Sequence, residues 1–384
     1  MEIYDVIIIG AGPAGLMAAR TLGERPNINF LILDSKKEIG LPLRCGEGIR
    51  KDGFIELFEH SKYYFVMNKT NTFEIHSKNV SRSLYIDYLI LDRPKFEQWL
   101  AEPIKDHIIL QSSVIDVIRK KEYMEVVANK GCFRARLVIL SYGCNFSIQR
   151  KFSLIKNAPS TIPCIGGIFK NHNLDPSRLY FYFDDDNGTA SWIFPKDKII
   201  ANVGMGILPK NKGKNLTYLF NMFAKEHELI GKPSYSGIFP TNGAINKSYS
   251  KRMIVCGNAA GQVYAGAGEG IYFALKAGKI AGKVALNAVN KNDFSSDYLK
   301  RYEMIWKHSF GDQIKASLVF ADILVAGLNN NKLDYIFSLP TEKELVDLFM
   351  HGKVSWRAYL AMILIRAGRL LRLGKSKNIN TKQD

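Results

Sequence analysis

Hydrophobic and polar positions alone divide this chain into strands, turns and helices. Tyr4-Asp5-Val6-Ile7-Ile8-Ile9 is a short apolar run rich in β-branched residues and predicts a strand. Gly10-Ala11-Gly12-Pro13-Ala14-Gly15 breaks it, residues 16–22 predict a helix, and the apolar run 30–33 ends in Asp34. Residues 40–48 carry three glycines and a proline, which forbids a regular element there. Weak alternation from 65 to 88 predicts a strand pair over 72–76 and 83–86. Asp92 suits a helix cap and Pro94 its first turn.

Strands are then expected over 114–118, 125–128 and 136–140, the last ending in Ser141-Tyr142-Gly143-Cys144. From 162 to 239 the pattern is mostly strand (165–169, 179–183, 190–194 and 199–205), with a turn at 184–188 and a helix over 216–229. Met253-Ile254-Val255 followed by Cys256-Gly257-Asn258-Ala259-Ala260-Gly261 repeats the opening logic of strand, then small residues. Gly266–271 leads into a helix over 272–287, whose small residues Ala274, Ala277, Gly278 and Ala281 permit a close approach to a sheet or cofactor. Apolar residues at helical spacing from 356 to 373, opposite Arg357, Arg366, Arg369 and Arg372, predict a basic amphipathic C-terminal helix. That helix either packs on the body or lies in a lipid headgroup layer.

The opening pattern carries chemistry. Strand, glycine turn, helix, strand and acid form a dinucleotide-binding βαβ unit. Gly10 permits the tight turn, Gly12 lets backbone approach a pyrophosphate, and Gly15 lets helix and strand pack closely. The helix N-terminus offers free N–H groups and a positive dipole end to the phosphates. Asp34 is placed to accept from ribose hydroxyls and would repel a 2′-phosphate, which argues against NADP at this site. Arg93 sits where a cation could reach a phosphate or a ring carbonyl.

Composition changes this picture little. The 384 residues are 47% hydrophobic, enough for a large core in two or three lobes. No apolar run approaches the ~18 residues of a membrane span, and the acidic N-terminus gives no signal peptide. The five cysteines form no CxxC pair and the histidines are dispersed, so neither disulfides nor a metal site are expected, and a reducing cytosol is. Net charge is +17, which points to anionic partners. No basic stripe with interleaved aromatics is obvious, so nucleic acid is not expected.

Several stretches together resemble a known family. The βαβ unit, the Arg93 helix and Gly257–261 resemble FAD enzymes of the p-hydroxybenzoate-hydroxylase-like fold. Pro42-Leu43-Arg44-Cys45-Gly46-Glu47-Gly48 is similar to the PxRCGEG segment of geranylgeranyl reductases. Ser191-Trp192-Ile193-Phe194-Pro195 and Asn202-Val203-Gly204-Met205-Gly206 resemble that family's WxFP and VGxG elements. The resemblance implies an α/β chain with a discontinuous Rossmann-type FAD-binding domain (1–62, 83–152 and 242–290). A β-rich substrate domain (63–82 with 153–241) and a helical C-terminal region (291–384) complete it. It implies FAD held by Gly10, Gly12, Ala14, Gly15, Asp34, Arg44, Cys45, Gly46, Arg93, Gly257, Asn258, Gly268, Gly270 and Ile271. It further implies a polyprenyl tunnel at Trp192, Phe194, Pro195, Gly204 and Gly206.

The implied reaction saturates carbon–carbon double bonds, with Cys45 as proton donor or flavin-face contact. Glu47 and Glu269 are either acids near the flavin or partners of loop N–H groups. The implied partners are a polyprenyl lipid, a reduced donor (ferredoxin-like or NAD(P)H) and the inner face of a membrane, with a cytoplasmic, peripheral location. A flavin monooxygenase acting on an apolar substrate and a non-catalytic flavin-binding peripheral protein are the alternatives. Tyr142, Asn258 and Ala190 depart from the family pattern; Ala190 stands where a tyrosine is frequent, which implies a wider or differently shaped tunnel.

Overall fold

The computed structural model describes residues 2–157, 159–170, 173–208, 213–330, 332–351, 353–360 and 363. Its architecture is α/β, with two eight-stranded sheets. In the first, Ile3–Ile9 runs parallel to Phe30–Leu33 on one side and to Gly131–Leu140 on the other, and Met253–Val255 extends the parallel set. Ile9 pairs with both Leu33 and Leu140, and Leu140 with Val255, so these strands end level. Their four following loops therefore meet along one edge, where open parallel sheets bind ligands.

The C-terminal ends of these strands, residues 6–9, 30–33, 137–140 and 253–255, are buried apolar runs because helices cover them. The opening helix, Pro13–Gly23, starts one turn earlier than the apolar pattern alone indicates, with proline in its first turn. The late helix, Ile271–Lys291, outlasts its expected end and closes at Asn292 in a left-handed conformation. Its small residues face the opening helix. A Cβ on Gly278 would stand 2.1 Å from the Ala14 carbonyl oxygen, and one on Gly282 2.7 Å from that of Ala18.

The second sheet runs in the order Tyr235–Pro240, Thr161–Lys170, Ile200–Ile207, Thr189–Pro195, Arg178–Asp184, Val66–His76, Ser81–Leu91, Gly48–Arg50. Helix Leu216–Glu226 packs Phe220 and Phe223 on one face against Phe169, Ile193 and Val203. The C-terminal helices, Ser296–Trp306 and Asp312–Asn330 among them, join the main core through Phe310, Phe320 and Leu328.

Strand pairing divides the chain differently from the expected boundaries. Residues 48–50 and 83–91, assigned above to the first domain, pair within the second sheet. The reason is local: residues 81–91 form the antiparallel partner of Val66–His76, and their inward residues Leu84, Ile86 and Leu89 share its core.

Candidate active site

A cavity of about 1240 Å³ is lined by both sheets and by helix Asp312–Asn330. One end lies at the level strand ends. Gly10 adopts φ +103°, and a Cβ there would meet the backbone of Ser141 and Tyr142 at 2.7 Å. A Cβ on Gly15 would stand 1.9 Å from the Gly10 carbonyl oxygen, so Gly15 serves helix–strand packing, as its spacing indicates, and does not line the cavity. Gly12 is the helix N-cap without a side-chain cap, and a Cβ there would have no described protein atom within 4 Å. Nothing in the fold around it requires glycine at 12, and the space it leaves opens into the cavity.

Asp34 lines this end, but its carboxylate is partly engaged already. The Ala11 N–H donates to Oδ2 at 2.5 Å and the Lys36 N–H to Oδ1 at 2.8 Å. Two lining residues beside it escaped the sequence reading, Glu97 and Ser112. Glu97 Oε2, which stands 3.6 Å from the charged Lys36 Nζ, and Ser112 Oγ are buried without a hydrogen-bond partner. Buried polar atoms with no hydrogen-bond partner, a bare helix N-terminus and a glycine facing open space fit the adenosine and pyrophosphate of FAD. Neither residue carries a sequence signal, because each reaches the cavity only through tertiary placement.

Arg44, Cys45, Gly46, Arg93, Asn258, Gly268, Gly270 and Ile271 line the middle of the cavity. Arg93 ion-pairs with Glu97 at 2.8 Å and hydrogen-bonds the Cys45 thiol; these partners hold its guanidinium charged despite burial. The Asn258 side chain hydrogen-bonds Cys144, whose thiol burial pushes up to about 11. Gly257, expected at the cofactor, is instead a packing position: its φ is +66° and a Cβ would stand 2.8 Å from that of Ala14. Tyr142 lines the cavity and anchors the next helix, donating to Gln149 at 2.5 Å and accepting from the Ile148 N–H.

The far end is apolar. Trp192, Phe194, Gly206 and Ala190 line it with Phe181 and Phe183, and Leu324, Leu328 and Phe349 close the opposite wall. Those last three come from the C-terminal helical region, which the motifs do not reach. Pro195 and Gly204, expected in the tunnel, are not among the lining residues. A Cβ on Gly204 would stand 2.0 Å from the Trp192 ring, so glycine there seats the indole. Pro195 is buried, and its carbonyl accepts from Asn68 at 2.8 Å.

The two acids act as partners of loop groups. Glu47 is fully buried, pairs with Lys196 at 2.8 Å and accepts from the Arg93 N–H at 3.0 Å. Glu269 lies 3.5 Å from buried Arg50, and burial pushes its carboxyl up to about 7 against that attraction. No cluster of metal-ligating side chains occurs among the described residues.

Comparison with known proteins agrees with this geometry. The family model for the geranylgeranyl reductase catalytic domain matches residues 161–237, and the Thi4 family model matches 1–50. Digeranylgeranylglycerophospholipid reductase of Methanococcus aeolicus is 31% identical over 348 residues, spanning 84% of this chain and 86% of its own. The crystal structure of a geranylgeranyl bacteriochlorophyll reductase-like protein from Thermoplasma acidophilum superposes with TM-score 0.78 at 24% identity, covering 88% of this chain and 91% of that one. A halogenase solved in complex with FAD shares the fold at TM-score 0.64 and 14% identity, covering 95% of this chain and 86% of its own.

Proposed function

Because this chain belongs to the geranylgeranyl reductase family, we propose that it is an FAD-dependent reductase that saturates carbon–carbon double bonds of a geranylgeranyl lipid. The observation that carries this reading is the continuity of one cavity: a glycine-edged polar end, Cys45 midway, and an aromatic–aliphatic end. Apolar length suits a polyprenyl chain, which offers no polar group for recognition along its tail.

FAD, when bound and reduced, supplies the hydride for one alkene carbon. The opening helix N-terminus, Asp34, Glu97 and Ser112 hold its adenosine half. Trp192 and Phe194 on one wall and Leu324 and Leu328 on the other confine the chain and exclude water, which an unactivated alkene requires. The Cys45 thiol, held beside Arg93, offers the proton for the other carbon. The source of the electrons is a reduced ferredoxin-like donor or NAD(P)H.

A substrate of this kind suits an enzyme that works at a membrane surface, on its inner face. No helix among the described residues is long and apolar enough to cross a membrane. Residues 356–360 are helical, with Trp356, Tyr359 and Leu360 exposed together with Ile363, while Ala358 is buried and Arg357 bonds Glu344 at 3.2 Å. The apolar stripe thus faces outward. Arg366, Arg369 and Arg372 of the expected helix lie outside the described residues. A stripe of this kind on a chain of net charge +17 suits an anionic headgroup layer.

The test is an anaerobic visible spectrum of the purified protein. Oxidised-flavin bands that bleach with dithionite and return on adding a geranylgeranyl lipid, with hydrogen gained by the lipid in mass spectrometry, are expected. Failure of the lipid to reoxidise the flavin, or oxygen-dependent hydroxylation in its place, would overturn the reading.

A further inference from the structure

Asn202 sits on the central strand Ile200–Ile207, fully buried and outside the cavity lining. Its side-chain amide makes all four of its hydrogen bonds. Nδ2 donates to the Cys45 carbonyl oxygen at 2.8 Å and to Glu47 Oε2 at 3.0 Å. Oδ1 accepts from the Trp192 indole Nε1 at 3.1 Å and from the Tyr235 hydroxyl at 2.7 Å, a hydroxyl that also stands 3.2 Å from the Cys45 carbonyl oxygen. The chemistry fixes the orientation: an indole N–H can only donate, and a carbonyl and an ion-paired carboxylate can only accept.

Three of the four partners, Cys45, Trp192 and Tyr235, line the cavity. They come from the glycine-rich loop, strand Thr189–Pro195 and edge strand Tyr235–Pro240. The fourth, Glu47, is fixed by Lys196 at 2.8 Å, so it cannot yield. The Glu47 N–H in turn bonds the Cys45 sulfur at 3.2 Å, which closes a ring of contacts around that loop.

We propose that Asn202 is the positioning residue of the reaction: through one amide it fixes the Cys45 loop against the wall formed by Trp192 and Tyr235. Its donor half aims the thiol, and its acceptor half orients the two aromatic side chains. This rests on the reductase reading for its catalytic consequence, but not for the geometry itself.

The amide's two halves can be tested separately. Asn202→Asp keeps size and the acceptor half, and turns the donor half into an oxygen facing Glu47 and the Cys45 carbonyl. In the purified full-length chain, peptide-resolved iodoacetamide labelling of Cys45 is expected to quicken by about fivefold or more as the loop loosens. Tryptophan emission should stay at the wild-type maximum, because the Trp192 acceptor remains. With geranylgeranyl lipid, kcat should fall on the order of tenfold or more while KM moves by about twofold at most. Glu47→Gln added to Asn202→Asp restores a donor opposite the introduced carboxylate and should recover part of the slow labelling. A merely structural asparagine would shift tryptophan emission and labelling of every cysteine together, and that result overturns the proposal, as does unchanged Cys45 labelling. If Asn202→Asp does not fold, Asn202→Ala removes the amide without adding charge. Faster Cys45 labelling is expected there too, and wild-type labelling would overturn the proposal. If the wild-type chain reduces no lipid, the reductase reading fails, while the labelling arm still decides the role of Asn202.

Discussion

Gly12→Ala separates folding from cofactor binding. Gly12 has φ −93° and ψ −175°, extended backbone open to any residue, and a Cβ there would touch no described protein atom within 4 Å. Alanine is a poorer N-cap than glycine by up to about 1 kcal/mol, but it also restricts the unfolded chain, which returns about 0.4–1 kcal/mol. These terms nearly cancel, so the flavin-free variant should melt within about 2 °C of the parent. The new methyl group projects into the cavity at the helix N-terminus. Crowding a packed ligand by one methyl costs about 1–3 kcal/mol, or about 5- to 150-fold in affinity. The assay is FAD titration of stripped protein by fluorescence quenching, paired with thermal melts. Gly15→Ala is the contrast, since its Cβ would stand 1.9 Å from the Gly10 carbonyl oxygen and 2.6 Å from Ser141 Oγ. It should destabilise the chain itself. Unchanged FAD affinity in Gly12→Ala, or a fall in its melting temperature like that of Gly15→Ala, would refute the reasoning.

Gly204→Ala should drive the Trp192 indole off its seat, leaving FAD affinity intact while lipid turnover drops on the order of 100-fold, as a misplacement near 1 Å can produce; equal turnover would return Gly204 to a neutral strand position. Burial raises the Glu269 carboxyl from 4.5 to about 7, so between those pH values the folded chain keeps a proton that the unfolded chain releases. Stability should therefore fall as pH rises through this window, by at most about 1.4 kcal/mol per unit, and level off above it. Glu269→Gln should flatten that dependence in melts across pH, and an identical slope in both proteins would count against it. Replacing Trp356, Tyr359 and Leu360 together with serine should abolish sedimentation with anionic vesicles while flavin content stays constant; pelleting at the parental level would remove this stripe as the membrane contact.

What the sequence by itself determined is what short-range patterns encode. The opening βαβ unit was legible because a buried strand, a glycine turn and a capped helix each leave their signature within a few residues. The same holds for Asp92, which caps the Arg93 helix through the Lys95 N–H, and for the strand-rich stretch after residue 161. The Cys45 loop was visible as glycine and proline density, and its resemblance to a known segment pointed to the family. Tertiary structure decided how these pieces divide their roles. Of the VGxG pair, both on one face of their strand, Gly206 lines the cavity and Gly204 lies under the Trp192 ring, because the register with Thr189–Pro195 sets Gly206 opposite the small Ala190 and Gly204 opposite Trp192. Glu47 became a buried partner of Lys196, 149 positions away, and Asn202 a hub for Cys45, 157 positions away. The wall supplied by Leu324 and Leu328 belongs to a helix that carries no motif. Hydrogen bonds and packing across such separations depend on which surfaces the folded chain brings together, and no local period in the sequence records that.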